Sequence, residues 1–205
     1  MFSTILMFVF SYLLGSLMPG FWIGKFFYHK DIRDEGSGNV GTTNSFRVLG
    51  TAAGIVTLAL DLLKGTAAGL LPLLFNSNIN PMLVGVAAII GHTFSIWLKF
   101  KGGKAVATSA GILLAYNPYF FILAISVFIL VLLLTSMVSM SAMISFSFAV
   151  CASLFYHDLV LTIVTIILTI FVFYRHRSNI SRIKNGTEST VPFGLYNSIR
   201  QNRHQ

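Results

Sequence analysis

Residues 105–157 read AVATSAGILLAYNPYFFILAISVFILVLLLTSMVSMSAMISFSFAVCASLFYH and contain no Lys, Arg, Asp or Glu. A helix that crosses the hydrocarbon core of a bilayer needs about 20 predominantly apolar residues, so this one stretch has room for two or more crossings. The rest of the chain agrees. Its 205 residues are 55% hydrophobic and 10% charged, with a mean hydropathy of +0.80, whereas soluble domains carry roughly 25% charged side chains. Such a chain cannot clothe a globule in solvated groups, and it reads as an integral membrane protein. The same figures exclude a disordered chain, a nucleic-acid-binding domain with a distributed basic surface, and a secreted domain stapled by disulfides. The single cysteine, Cys151, lies in an apolar run and has no partner for an internal bridge.

Working outward, seven apolar segments are expected: about 3–24, 51–75, 82–98, 105–116, 119–135, 138–156 and 159–174. The fourth is too short to cross a ~30 Å core alone at ~1.5 Å per residue. It either draws on the neighbouring Gly102-Gly103 segment or crosses only in part. The first has neither the basic start nor the small-residue cleavage pattern of a secretory signal. No internal repeat is visible. The expected fold is all-α, a polytopic bundle of about seven transmembrane helices forming one domain over 1–205.

The net charge of +8 is unevenly placed. Basic residues cluster at Lys25, Lys30, Arg33 and Arg47, at Lys99, Lys101 and Lys104, and at Arg175, Arg177, Arg182, Lys184, Arg200 and Arg203. The turns at 76–81, 117–118 and 157–158 contain no Lys or Arg. With an odd number of crossings and the N-terminus outside, all three clusters fall in the cytoplasm, as the positive-inside rule requires.

Three polar stretches carry the chemistry. Gly36-Ser-Gly-Asn-Val-Gly41 has the form GxGxxG, but no strand precedes it and no βαβ unit fits around it, so a dinucleotide fold is not implied. Its glycines would still let backbone N–H groups approach an anion. Ser37, Thr42 and Thr43 offer hydroxyls, the following segment looks like a helix start, and Arg47 could add a bidentate fork. An inter-helix loop capped by Thr43 or Asn44 would use the same residues. Lys101-Gly-Gly-Lys104 resembles the end of a P-loop, yet Ala105 stands where a magnesium-binding Ser or Thr would be, so the nucleotide reading fails. Two lysines around a glycine pair suit a phosphate, or simply an interfacial basic turn. In the third stretch, from Tyr174 to Glu188, His176 and Asn179 share a face if helical. Asp61 and Lys64, inside the second apolar segment, read as a mutual ion pair that makes burial tolerable.

Together, Gly36-Ser-Gly-Asn39, Thr43-Asn44, Arg47 and Gly50, then Asp61-x-x-Lys64-Gly65, Gly91-His92, Lys101-Gly-Gly-Lys104 and Ala107-Thr108, then Arg175-His-Arg-x-Asn179 and Gly186-Thr-Glu188 closely resemble the PlsY family. These are bacterial inner-membrane acyl-phosphate:glycerol-3-phosphate acyltransferases. Val40, Thr42 and Ser95 depart from residues common in that family, without removing a polar group. The resemblance implies transfer of a fatty acyl group from acyl phosphate to the 1-hydroxyl of sn-glycerol 3-phosphate, giving lysophosphatidic acid and inorganic phosphate, the first acylation step of phospholipid synthesis. It implies a cytoplasm-facing site in which Ser37, Gly38, Asn39, Gly41 and Thr42, with Gly102 and Gly103, cradle the acyl phosphate. Arg47, Lys104, His176 and Asn179 would hold glycerol 3-phosphate. Ser37, Arg47, Lys104, His176 and Asn179 are the expected catalytic group; Asn44, His92, Lys101, Thr108 and Glu188 join the binding set. The base would be a substrate phosphate or His176. No metal or cofactor and no nucleic acid is implied, and the expected partners are membrane lipid and a soluble acyl-phosphate synthase that supplies the donor. Acyl phosphate carries its own good leaving group, so no nucleophilic Ser or Cys is required. A transporter of organic phosphates would also show polar, basic segments, but with repeat symmetry and broken spans; a membrane scaffold would not need three donor-rich motifs.

Overall fold

The computed structural model describes residues 2–202, with the side chains of 200–202 left out; Arg203 and the side chain of Arg200, both in the third basic cluster, lie outside the described residues. Among the described residues, eleven α-helices and two short 3-10 turns make up the regular structure, and no strand occurs. The chain divides into two compact units, residues 1–118 and 119–205.

The first unit contains α1 (Phe2–Ser16), α2 (Pro19–Phe27), α3 (Thr42–Leu49), α4 (Thr51–Leu74), α5 (Pro81–Thr93) and α6 (Val106–Tyr116). The expected first span is interrupted: Pro19 opens α2 and cannot donate to the preceding turn, so α1 and α2 meet at 46°. Two outside groups take the carbonyls that the break exposes. Ser95 Oγ donates to the Ser16 carbonyl at 2.6 Å, and Lys64 Nζ donates to the Leu17 carbonyl at 2.5 Å.

Packing in this unit relies on missing side chains. A Cβ on Gly65 of α4 would strike the Thr108 carbonyl of α6, and one on Gly111 of α6 would strike the Leu62 carbonyl of α4. Gly15 and Gly91 bring α1 and α5 together in the same way, against Ala88 and Tyr12. Lipid offers no hydrophobic drive between helices, so close backbone approach at small residues supplies the contact energy instead.

The second unit contains α7 (Pro118–Thr135), α8 (Val138–Ser153), α9 (Leu159–Arg175), α10 (Arg177–Lys184) and α11 (Leu195–Asn202). Hydroxyls knit its long helices: Ser145 Oγ donates to the Ala124 carbonyl at 2.7 Å and Thr169 Oγ1 to the Phe146 carbonyl at 3.1 Å. Phe120 is fully buried, edge-on to Tyr156 at 4.9 Å between ring centroids, and it is the one buried residue of α7, whose remaining apolar side chains are exposed or half-buried. Asp158 caps α9 by accepting from Leu161 N at 3.0 Å. The basic stretch that follows α9 folds as α10, which turns 59° from α9, and α11.

Among the described residues, four helical stretches are long and apolar enough to cross a membrane, or up to six if each bent pair counts as one crossing. The short fourth segment of the sequence appears as α6, 11 residues long, or ~16 Å at 1.5 Å per residue. The chain is an integral membrane protein of all-helical class.

Candidate active site

In the first unit the loop between α2 and α3 is fastened from below. Ile32 and Val40 bury their side chains in a cluster with Met18, Phe21, Leu49, Ala53 and Leu98, which pins both sides of the loop to the helices. At the loop entrance Arg33 grips Asp31 through Nε at 2.9 Å, and this hydrogen bonding holds the Asp31 carboxyl below the usual carboxylate range. Arg33 also lies over the Phe21 ring at 4.8 Å. Gly36 and Gly38 have φ of +64° and +68°, the left-handed conformation that glycine adopts without strain.

Asn44, in the first turn of α3, organises this loop from a fully buried position. Its Oδ1 accepts from the Ser37 backbone N–H at 2.8 Å and from Ser37 Oγ at 3.2 Å, while its Nδ2 donates to the carbonyls of Ile32 at 2.8 Å and Glu35 at 3.1 Å. Asn39 Oδ1 accepts from Gly41 N at 3.0 Å. Neither Thr43 nor Asn44 caps α3. Gly41 is the N-cap residue and brings no side chain to the first turn, so a helix start meets a glycine-rich loop, the arrangement that suits an anion. Ser37 and Arg47 are exposed, and Arg47 has no ion-pair partner among the described residues.

Behind the loop, Thr42 Oγ1 donates to Asp61 Oδ2 at 3.4 Å. Asp61 and Lys64 form the expected ion pair across 2.8 Å, both buried. Asp61 Oδ1 also lies 3.6 Å from His92 Nδ1, which meets Thr108 Oγ1 at 3.0 Å. The Gly102-Gly103 pair lies along the end of α5, Gly102 N donating to the Thr93 carbonyl at 2.9 Å and Gly103 N to the His92 carbonyl at 3.0 Å. A Cβ on Gly102 would overlap the His92 carbonyl, and one on Gly103 the His92 imidazole. Lys104 is half-buried and engaged, while Lys101 is exposed.

In the second unit, His176 closes α9, its Nδ1 donating to the Val172 carbonyl at 2.8 Å. This fixes the proton on Nδ1 and makes Nε2 the basic nitrogen of the neutral ring. His176 is also the N-cap residue of α10, which carries Asn179 one turn on. Glu188 ties this corner together. Its Oε1 accepts from Asn179 Nδ2 at 2.6 Å and Ser139 Oγ at 2.7 Å, and its Oε2 accepts from Arg182 Nε at 2.7 Å. Burial works against the Glu188 carboxylate, but these three donors outweigh it and hold its pKa below the ordinary value.

Residues 5–186 match the family described as glycerol-3-phosphate acyltransferase. The chain belongs to that family. It is 54% identical over 202 residues to a glycerol-3-phosphate acyltransferase of Latilactobacillus sakei, covering 98% of each chain. It is 55% identical to one of Enterococcus faecalis, covering 94% of each. A crystal structure of PlsY, an integral membrane glycerol 3-phosphate acyltransferase in its glycerol 3-phosphate form, matches with a TM-score of 0.87 at 31% identity, covering 92% of this chain and 96% of that one. The lysophosphatidic acid form of PlsY matches with a TM-score of 0.83 at 30% identity.

Within this acyltransferase-family chain, the expected site residues fall into two sets. Ser37, Gly38, Asn39, Gly41, Thr42, Asn44 and Arg47, together with His92, Gly102, Gly103 and Thr108, lie in the first unit, where Asp61 faces both Thr42 and His92, and Lys101 and Lys104 flank the glycine pair. His176, Asn179 and Glu188 lie together in the second. The sequence reading left out Ser139 and Arg182, which hold Glu188. Ser139 stands in the long uncharged stretch 49 residues before its partner, where no local spacing marks it. Arg182 could have been found, since it follows Asn179 by three positions on the same helical face.

Proposed function

We propose that this chain transfers a fatty acyl group from acyl phosphate to the 1-hydroxyl of sn-glycerol 3-phosphate. The glycerol O1–acyl carbon bond forms, the acyl carbon–phosphate oxygen bond breaks, and the hydroxyl proton leaves with inorganic phosphate, either directly or by way of His176 Nε2. Two phosphate-bearing substrates must approach each other, so positioning and fixed positive charge supply the catalysis. The observation that carries this reading is that two glycine segments, 36–41 and 102–103, are tied to the same buried Asp61–Lys64 pair, through Thr42 and His92.

In this proposal Ser37, Gly38, Asn39, Gly41, Thr42, Gly102 and Gly103 take the acyl phosphate, and Arg47 and Lys104 take glycerol 3-phosphate. The family resemblance adds His176 and Asn179 to the residues that serve the acceptor, with Glu188 fixing Asn179. Asn44, His92 and Thr108 support the glycine segments. The whole chain acts as one acyltransferase domain in the bacterial cytoplasmic membrane, with an odd number of crossings, the N-terminus outside and the site facing the cytoplasm. There a soluble acyl-phosphate synthase would deliver the donor.

Purified protein in detergent, given labelled glycerol 3-phosphate with palmitoyl phosphate or separately with palmitoyl-CoA, tests the donor. Lysophosphatidic acid and phosphate from the acyl phosphate alone are expected; product from palmitoyl-CoA alone, or from neither, would overturn the proposal. Arg47→Ala and Lys104→Ala should each abolish turnover in folded protein. A C-terminal tag found outside intact cells would refute the orientation.

A further inference from the structure

Asp61 and Lys64 have an obvious role as a buried ion pair, but a pair that merely tolerates burial needs no other contacts. This one has contacts with three other parts of the fold. Asp61 Oδ2 accepts from Thr42 Oγ1 at the start of α3, 3.4 Å away. Asp61 Oδ1 faces both Lys64 Nζ at 2.8 Å and His92 Nδ1 at 3.6 Å. Lys64 Nζ reaches on to the Leu17 carbonyl at the α1–α2 break. The next residue, Gly65, lets the α6 backbone press against this turn at Thr108, the residue whose hydroxyl meets His92 Nδ1 at 3.0 Å. His92 in turn accepts through its carbonyl from Gly103 N. A single turn of α4 therefore fixes where Thr42 lies relative to the Gly102-Gly103 strap.

We infer that Asp61 is a positioning residue for acyl transfer, registering the 36–42 loop against the glycine pair, and that Lys64 serves to hold the Asp61 carboxylate at that point. The inference rests on the reading under Proposed function for its link to turnover. The requirement is for an acceptor at position 61 aimed at Thr42, rather than for charge. A displacement of about 1 Å in such a frame costs about 10²-fold in rate.

Two charge-free double variants separate positioning from burial. Replacing a buried ion pair by apolar residues of similar volume is often neutral for stability, so Asp61→Leu with Lys64→Met and Asp61→Asn with Lys64→Met should both fold, which gel filtration and thermal melting in detergent would check. The Asn variant keeps a carbonyl acceptor for Thr42; the Leu variant does not. We expect the Leu variant to lose about 10²-fold in kcat, with KM changed far less, and the Asn variant to recover most of that loss. Equal rates in the two double variants would overturn the inference.

A second readout needs no reaction. With Cys151→Ser and a nitroxide on Thr43→Cys, the label at the exposed start of α3 should become more mobile in the Leu variant and stay restrained in the Asn variant. If wild-type protein shows no acyl transfer but the label behaves in this way, the positioning stands and the functional reading falls. Identical spectra in both variants would overturn the positioning whether or not the protein is active, and they also decide the matter if the Leu variant is too unstable for kinetics but can be labelled in membranes.

Discussion

The carboxamide oxygen of Asn44 accepts from the backbone N–H of Ser37 at 2.8 Å, joining a buried helix residue to an exposed loop residue seven positions earlier. The same side chain donates to the carbonyls of Ile32 and Glu35. The loop therefore owes its shape to one amide that is satisfied at both ends, and Ser37 is presented by a group that needs no contact with substrate.

Asn44→Ala should remove all of these bonds and leave the buried Ile32 carbonyl without its donor, at about 1–3 kcal/mol for the unsatisfied group. Asn44→Asp keeps the acceptor for Ser37, loses the donors, and brings negative charge under a loop proposed to hold phosphate. Steady-state kinetics should show KM for the acyl phosphate raised more by Asn44→Asp than by Asn44→Ala, while thermal melting ranks both below wild type.

Gly102→Ala and Gly103→Ala should differ. The new methyl at 102 meets the His92 carbonyl, which is fixed backbone, whereas the methyl at 103 meets the His92 ring, which can turn aside. A loss of about 10²-fold in kcat/KM is expected for Gly102→Ala, with a smaller loss for Gly103→Ala. The reverse order would mean that the strap does not lie against α5 as described.

Glu188 gives the second unit a pH dependence. Its native pKa lies below the ordinary glutamate value of about 4.3, so its contribution to stability is complete above that value. The contribution is lost as pH falls through the lowered native pKa. Melting temperatures from pH 7 to pH 3 should fall in wild type below about pH 4 and stay flatter in Glu188→Gln, which starts lower because a neutral amide accepts more weakly from Arg182 and Asn179.

Ser95→Pro is expected to fold. Ser95 has φ −66° and ψ 123°, values natural to proline. The exchange removes the bond to the Ser16 carbonyl and leaves that buried group without its donor, a cost that the stiffer unfolded chain offsets only in part, so Ser95→Pro should melt below wild type. Ser95→Ala loses the bond without that compensation and should melt lower than Ser95→Pro.

Apolar run lengths made the helical class and most segment boundaries legible, because hydropathy acts along the chain. The break at Pro19 was less so, since the apolar run continues through it. The residues with left-handed backbone at Lys99, Phe100 and Ala105 carry no sequence signal, as none is glycine or asparagine. In the site, the i,i+3 pairing of Asp61 and Lys64 could be read directly. Their links to Thr42, His92 and Leu17 depend on which helices the glycines bring together. The partnership of Ser139 with Glu188 likewise belongs to tertiary structure, because serines in apolar helices more often bond to their own preceding turn, as Ser141 does with the Met137 carbonyl.

The interrupted first span has a consequence for biogenesis. The Leu17 carbonyl is translated 47 residues ahead of Lys64, and the Ser16 carbonyl 79 residues ahead of Ser95. An uncovered carbonyl in hydrocarbon costs several kcal/mol, so the nascent break must stay hydrated, or remain an unbroken helix, until α4 and then the end of α5 emerge from the insertion machinery. Membrane integration of this chain is thus ordered from within: the first segment to be made reaches its final shape only after α4 and α5 have followed it.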